Sequence, residues 1–331
     1  MKHVIALDVG GTGMKAALLA QDGSVLFEAR RPTGREHGTD AVVAAILDFA
    51  ADLATVGRDR FGVAPLAAGV AVPGTIDEKN GIAVYSANLG WRDLPLRKLL
   101  GERLATPAPA PGGSAGRAGG TDSAPIPVAL GHDVRSGGLA EGRIGAGRGV
   151  DRFLFIALGT GIAGAIGIDG RIEAGAHGYG GEIGHVVVRP GGPQCGCGAR
   201  GCLETLASAS AVSRAWAAAS GDPDADAASC AAAVDAGDDR ALALWQGAVD
   251  ALADGIVLAQ SLLDPSTVIV GGGLAEAGDT LFTPLRAAIT ERLTFQMPPE
   301  VVPAMLKDTA ASLGAGLLAW DLLAETHPPR P

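Results

Sequence analysis

Charged residues make up only 19% of the chain and aromatic residues 4%, and positive charge is the scarcer sign, with 26 Lys and Arg against 36 Asp and Glu. The net charge of -10 at pH 7 argues against a nucleic-acid or anionic-membrane partner, because neither surface attracts an acidic body. Long apolar runs are also scarce. The stretch 153–168 carries no charge, but it falls short of the ~20 residues a bilayer requires and glycines interrupt it. No signal-peptide core fits between Met1 and an apolar strand that starts at His3, so a cytoplasmic location is expected. Gly-Lys pairs are absent, which excludes a P-loop. Cysteine is limited to four residues, of which Cys195, Cys197 and Cys202 are clustered. In a reducing compartment such a cluster points to metal or redox chemistry rather than a disulfide scaffold.

Glycine, by contrast, is abundant. It supplies 50 of 331 residues, about twice the usual ~7%, and no three-residue period accompanies it, so collagen is excluded. At roughly 100 to 200 residues per domain, the length suits two domains with a core each. Apolar runs alternate with amphipathic stretches, the pattern of an α/β protein. Strands are predicted over 3–9, 14–19, 24–27, 67–72, 128–130, 153–158, 165–168 and 267–270, and helices over 40–53, 93–104, 133–143, 207–219, 239–263 and 313–323. The strand 3–9 ends in Gly10-Gly11-Thr12-Gly13 and leads through a second run to Asp22-Gly23; the strand 153–158 ends in Gly159-Thr160-Gly161 and leads to Asp169-Gly170. This repeated order predicts an internal duplication.

Residues 105–127 are almost entirely Ala, Pro, Gly, Ser and Thr. Such a composition buries too little apolar area to offset its ordering entropy, so a disordered surface insert is predicted. Deleting 108–124 should leave activity and melting temperature almost unchanged; a large loss of either would show that the segment packs.

Both glycine loops match the dinucleotide fingerprint, but each leads into a hairpin instead of opening a helix, which argues against that use. The remaining reading is a pair of turns, Gly10-Gly11-Thr12 and Gly159-Thr160-Gly161, whose N–H groups and threonine hydroxyls grip phosphates. Lys15 adds a nearby cation. Asp8 would repel a bare polyphosphate, whereas Mg2+ between them turns repulsion into attraction.

Cys195-Gly-Cys197-Gly-Ala-Arg-Gly-Cys202 sets three thiols in a tight knuckle, with His185 ten residues upstream of Cys195. Three thiolates and one imidazole would complete the closed tetrahedral shell of a structural zinc site. Free thiols and a disulfide are the rival readings, although a Cys195–Cys197 bridge would be strained. Among the carboxylates, Asp133 opens a helix directly after a strand, where a helix cap and a catalytic role are equally open. Glu182 and Glu204 flank the metal candidates and would be held rigidly, as hydroxyl-binding groups need to be.

Taken together, these residues resemble the ROK family of sugar kinases and sugar-responsive repressors, within the actin-like ATPase superfamily. Asp8-x-Gly10-Gly11-Thr12-x-x-Lys15 matches its phosphate motif, Glu182-x-Gly184-His185 its sugar motif, and Cys195-x-Cys197-Gly198-x-x-Gly201-Cys202-x-Glu204 its zinc signature. The resemblance implies two RNase H-like domains around a cleft: residues 1–127 with 311–327, closed by the C-terminal helix, and residues 128–310. It implies transfer of the ATP γ-phosphoryl group to a sugar 6-hydroxyl, with Mg2+ and a structural Zn2+. Asp133 matches the family's catalytic base; Asn88, Glu182, His185 and Glu204 match sugar contacts; Gly271-Gly272-Gly273 falls where adenosine is held. A homodimer, or a tetramer, is the expected assembly. His132 stands where the kinases usually carry Asn, beside the base, and so bears on which sugar fits; glucose and N-acetylglucosamine are the two candidates. A repressor of the same family is disfavoured because such proteins carry an N-terminal helix-turn-helix, and a non-catalytic sugar-binding module because Asp8 and Asp133 are both present.

Overall fold

The computed structural model describes residues 1–105 and 126–326. Most of the predicted insert therefore lies outside the described residues, as does the whole 108–124 deletion. The chain divides into two compact units, Met1–Ala140 with Thr309–Pro331, and Glu141–Asp308.

The first unit is built on a five-stranded sheet of order β3-β2-β1-β4-β8. Its strands are β1 (His3–Val9), β2 (Gly13–Ala20), β3 (Val25–Pro32), β4 (Ala68–Val72) and β8 (Val128–His132). β2 runs antiparallel to β1 and β3, while β4 and β8 run parallel to β1. Because β8 pairs with β4, the first unit reaches past the boundary expected at residue 127. Ile5, Leu7 and Val9 alternate onto one face, where α1 (Thr39–Phe61) buries Val42, Ile46, Phe49 and Leu53 against them. The other face receives α9 (Ala310–Thr326). Gly69 of β4 permits that approach, since a Cβ there would strike the Ala315 carbonyl.

A smaller sheet joins β5 (Thr75–Asp77), β6 (Ile82–Tyr85) and β7 (Arg92–Leu94) before α2 (Leu96–Ala105). The helix predicted from residue 93 thus starts at Leu96, because Pro95 and the left-handed Asp93 (φ 48°) belong to the strand end. Thr39 Oγ1 donates to the Leu89 carbonyl, and Leu89 and Trp91 are buried, so the loop between β6 and β7 that carries Asn88 is anchored on both sides. After β8, α3 (Asp133–Ile144) begins without an intervening loop.

The second unit repeats the plan. Its sheet has the order β11-β10-β9-β12-β13, formed by β9 (Arg152–Leu158), β10 (Ile162–Ile168), β11 (Arg171–Glu173), β12 (Thr267–Gly271) and β13 (Glu300–Pro303). The strand order and the senses match those of the first sheet, two antiparallel pairings followed by two parallel ones, as a duplication requires. The core forms against helices α4 (Glu204–Ala207), α5 (Ala209–Ser220), α6 (Ala227–Asp235), α7 (Asp239–Leu263) and α8 (Asp279–Arg292).

The stretch nearest to a membrane span is α7, not 153–168, which is the β9–β10 hairpin. α7 is 25 residues long and apolar enough by composition. Within this unit, however, it buries Trp245, Val249, Leu252 and Ile256 in the core, and its Asp250 and Asp254 pair with Arg292 at 2.8 and 2.7 Å. These are the contacts of a core helix.

Candidate active site

In the first unit, the singled-out residues gather at one end of the sheet. The carboxyl ends of β1, β4 and β8 point the same way, and ligands of open α/β sheets lie at that edge. Asp8 sits one residue from the end of β1, opposite Lys15 in the β1–β2 register. The turn that follows is closed by the Gly10 N–H donating to the Gly13 carbonyl (2.9 Å). It is held from outside by Thr33, which is fully buried: its Oγ1 donates to the Gly10 carbonyl (2.7 Å) and its N–H to the Thr12 carbonyl (3.1 Å). Thr12 itself is exposed, and Asn88 lies beside Gly11.

At the end of β8, His132 Nδ1 stands 3.2 Å from Asp133 Oδ1, the same oxygen that accepts the Val134 N–H at 2.7 Å. The helix-cap reading and the catalytic reading are thus compatible, because the cap contact engages one oxygen. Burial raises the Asp133 carboxyl above the ordinary carboxylate range, while His132, the Val134 N–H and Arg135 act in the opposite sense. Arg135 is 6% exposed and pairs with Glu78 Oε1 at 2.9 Å, tying α3 to the β5–β6 turn.

In the second unit, β9 and β12 are parallel neighbours, with Gly271 opposite Ala157. Their carboxyl ends place Gly159-Thr160-Gly161 beside Gly271-Gly272-Gly273. The first of these turns is closed by the Gly159 N–H donating to the Gly161 carbonyl (3.0 Å), much as in the first unit. Glu204, at the start of α4, accepts the Ile162 N–H on Oε2 (3.0 Å), and a Cβ on Gly161 would occupy the place of that carboxylate. One carboxylate oxygen of a predicted sugar contact is therefore bound to a predicted phosphate turn, so the two sets of residues adjoin.

The knuckle is shaped by short-range bonds. The Cys195 N–H donates to the Ala199 carbonyl (2.9 Å), the Gly198 N–H to the Cys195 carbonyl (3.0 Å), and Gln194 Nε2 to the carbonyls of Cys195, Gly198 and Ala199. Val188 and Arg189, just after His185, both donate to the Gly201 carbonyl, which folds the knuckle back onto the histidine. The ligand atoms of His185, Cys195, Cys197 and Cys202 lie within 4.8 Å of one another. Cys197 and Cys202 Sγ are 3.7 Å apart, too far for the ~2.05 Å bond of a disulfide. The separation matches the ~3.8 Å edge of a tetrahedron with ~2.3 Å metal–sulfur bonds. Burial pushes the Cys202 thiol up to about 12, whereas the Ala199 N–H holds the Cys197 thiol below its usual value. Three thiols in one pocket need a cation to become thiolates together. His185 turns Nδ1 toward Cys195 Sγ (3.6 Å) and Nε2 toward Glu182 Oε2 (4.0 Å), so its ring has one nitrogen on the thiol side and the other on the carboxylate side.

Three supporting residues carry no sequence signal. Arg135 reads as a solvated helix residue, Thr33 as a strand end and Gln194 as loop, and only their tertiary neighbours reveal their parts.

Known proteins resemble this chain over nearly its whole length, in sequence and in structure. A model of the ROK family matches residues 4–110 and 122–321. A glucokinase of Thermotoga maritima is 34% identical over 94% of this chain and 95% of its own, and a kanosamine kinase of Amycolatopsis mediterranei 31% identical over 95% of each. Among solved structures, a ROK hexokinase from Thermus thermophilus superimposes with TM-score 0.81 at 31% identity, covering 98% of this chain and 99% of that one. A ROK family glucokinase from Streptomyces griseus in complex with glucose and AMPPNP gives TM-score 0.76 at 27% identity, covering 96% and 99%.

Proposed function

This chain belongs to the ROK family, and from that premise we propose that it is an ATP-dependent sugar kinase that transfers the γ-phosphoryl group to the 6-hydroxyl of glucose or N-acetylglucosamine. The observation that carries the reading is Asp133, a carboxylate that accepts the Val134 N–H on one oxygen, with His132 Nδ1 3.2 Å from that same oxygen, at the carboxyl edge of its sheet. Phosphoryl transfer asks a protein for positioning, charge stabilisation and one proton acceptor at the attacking hydroxyl. Asp133 accepts that proton while the hydroxyl oxygen bonds to the γ-phosphorus and ADP leaves. Asn88, Glu182, His185 and Glu204 hold sugar hydroxyls; the turns at Gly10-Gly11-Thr12 and Gly159-Thr160-Gly161, with Lys15, hold phosphates; Gly271-Gly272-Gly273 lets adenosine approach the backbone. Asp8 would hold Mg2+, which neutralises phosphate charge when bound. His185, Cys195, Cys197 and Cys202 would hold Zn2+, which fixes the His185 ring and the Glu204 segment. A cytoplasmic enzyme fits this substrate pair.

The raised carboxyl of Asp133 sets an expectation for pH. The ionised form is the base, so kcat/KM should fall on the acid side at a pH above the ordinary carboxylate range. Arg135→Gln removes one of the charges that lower this pKa, and should move the fall to higher pH. Acid limbs that coincide in the two proteins would contradict the assignment.

The choice of sugar is expected to respond to His132. A neutral imidazole offers one donor and one acceptor, as an amide does, but in a bulkier frame. A hydrogen bond to a substrate hydroxyl is worth roughly 0.5 to 1.5 kcal/mol, so His132→Asn should shift the ratio of kcat/KM for glucose and N-acetylglucosamine several-fold. Steady-state assays with both sugars on both proteins measure it; an unchanged ratio would place specificity elsewhere. The reading as a whole is tested by ATP consumption over a panel of hexoses and amino sugars, in which at least one sugar must stimulate ADP formation.

A further inference from the structure

The small sheet β5-β6-β7 has two turns, and the proposed function uses only the one that carries Asn88. The other, between β5 and β6, holds Glu78 in a fixed place. Asp77 accepts the Asn80 N–H (3.0 Å) and the Asn80 side-chain amide (2.7 Å), and the Gly81 N–H donates to the Asp77 carbonyl (2.8 Å). Arg97, from α2, donates its guanidinium to the carbonyls of Glu78 and Lys79 and its backbone N–H to the Gly81 carbonyl (3.1 Å). Gly81 is left-handed (φ 72°), and a Cβ there would strike the Arg97 side chain. From this braced turn, Glu78 Oε1 accepts from both Nε and Nη2 of Arg135, at 3.3 and 2.9 Å. The Arg135 side chain is 7% exposed and that of Glu78 41%, so the cation is taken out of water while its counter-charge stays at the surface.

A buried guanidinium demands an anion, and Asp133 stands two residues before Arg135 on α3, near enough for the guanidinium to lower its pKa. Full pairing with Arg135 would engage that carboxylate and weaken it as a base. We propose that Glu78 is a positioning residue for the phosphoryl transfer: it holds the Arg135 guanidinium to the β5–β6 turn and so keeps the Asp133 carboxylate available for the sugar proton. The inference rests on Asp133 as the base. Around Asp133 in this unit, His132 ends β8 with Nδ1 3.2 Å from Asp133 Oδ1, and the adjacent strand β4 has no charged residue. Asp8 is two strands away on β1, opposite Lys15. α9 meets β8 and α3 at Leu318 and Gly314, within the uncharged stretch 310–320. On α2, Lys98 lies 3.9 Å from Glu102 and Arg103 3.2 Å from Asp48. One small sheet thus serves the reaction at both of its ends, with Asn88 on the sugar and Glu78 on the base.

The pH profiles of kcat/KM for the wild type, Glu78→Gln, Arg135→Gln and the double variant test the proposal. Glutamine keeps the length of Glu78 and can still accept from Arg135, so the melting temperature should stay near that of the wild type and the substitution reads the charge. Loss of that charge releases the guanidinium toward Asp133. The acid limb should then move to lower pH, opposite to the shift expected for Arg135→Gln. kcat should fall about three-fold or more as the base weakens, while sugar KM stays within about two-fold. In the double variant most of the downward shift should vanish, because no guanidinium remains to be held. A Glu78 that only braced the turn would raise KM through Asn88 and lower the melting temperature without moving the limb, which would overturn the proposal. So would a Glu78→Gln limb that moves the same way as that of Arg135→Gln, or a downward shift undiminished in the double variant; in either case a limb moved by Arg135→Gln leaves the base assignment standing. If neither single variant moves the limb, the assignment of Asp133 fails and this proposal with it.

Discussion

Replacing Asp133 by Asn is expected to lower kcat by about 10²- to 10⁴-fold while leaving sugar affinity within a few-fold of wild type. The amide keeps the shape of the carboxyl and can still hydrogen-bond a hydroxyl, but it cannot take the proton. The substitution should also be tolerated by the fold. Burial already disfavours the charged form of Asp133, so removing the charge relieves a desolvation cost, and the amide oxygen can still accept the Val134 N–H. Steady-state kinetics, equilibrium sugar binding and melting temperature separate these effects. A variant that kept more than a tenth of the wild-type kcat would show that Asp133 is not the base.

The second large effect is expected at the knuckle. The wild-type protein should contain one zinc ion per chain by elemental analysis, and Cys195→Ser should lose it. Because the same backbone carries His185 and Glu204, sugar KM should rise about 10- to 100-fold, the range typical when the support of a metal site is removed, and the melting temperature should fall with it. Cys230 serves as the control. It is buried in the α6 region of the core, away from the cluster, and burial pushes its thiol up to about 11. Cys230→Ser should leave the zinc content unchanged. Fully active protein without zinc would contradict the assignment.

Legibility in the sequence followed physical cause. β1 spans residues 3–9 as predicted, because an uninterrupted apolar run ends at a glycine turn. α1 outlasts its predicted end at residue 53 by continuing to Phe61: Gly57 and the polar residues around it weaken the apolar period, yet Gly57 is the position that lets the helix pass His3. α8 went unpredicted because Pro284 stands inside it, and β13 because it follows directly on Pro298-Pro299. Short strands such as β5 to β7 have too few residues to show a period at all.

For the proposed site, residue type and spacing nominate the groups that would do the chemistry, but they do not point to the residues that hold those groups in place. A phosphate turn needs glycine, a metal shell needs thiols and imidazole, and a base needs a carboxylate, so type and spacing together mark them. Thr33 and Arg135 contribute through partners far along the chain, Arg135 through a Glu78 that lies 57 residues away. No local pattern records such a pair. The bond from Glu204 to the Ile162 N–H is of the same kind.

The central claim is sugar-dependent transfer from ATP, and phosphorus NMR of the reaction tests it most directly. Zinc-containing protein incubated with ATP, Mg2+ and either glucose or N-acetylglucosamine should yield ADP and a sugar 6-phosphate in equal amounts with at least one of the two sugars, and the Asp133→Asn protein should yield neither on the same timescale. Folded, zinc-containing protein that forms no sugar phosphate with either sugar, or forms ADP at the same rate without sugar, would contradict it.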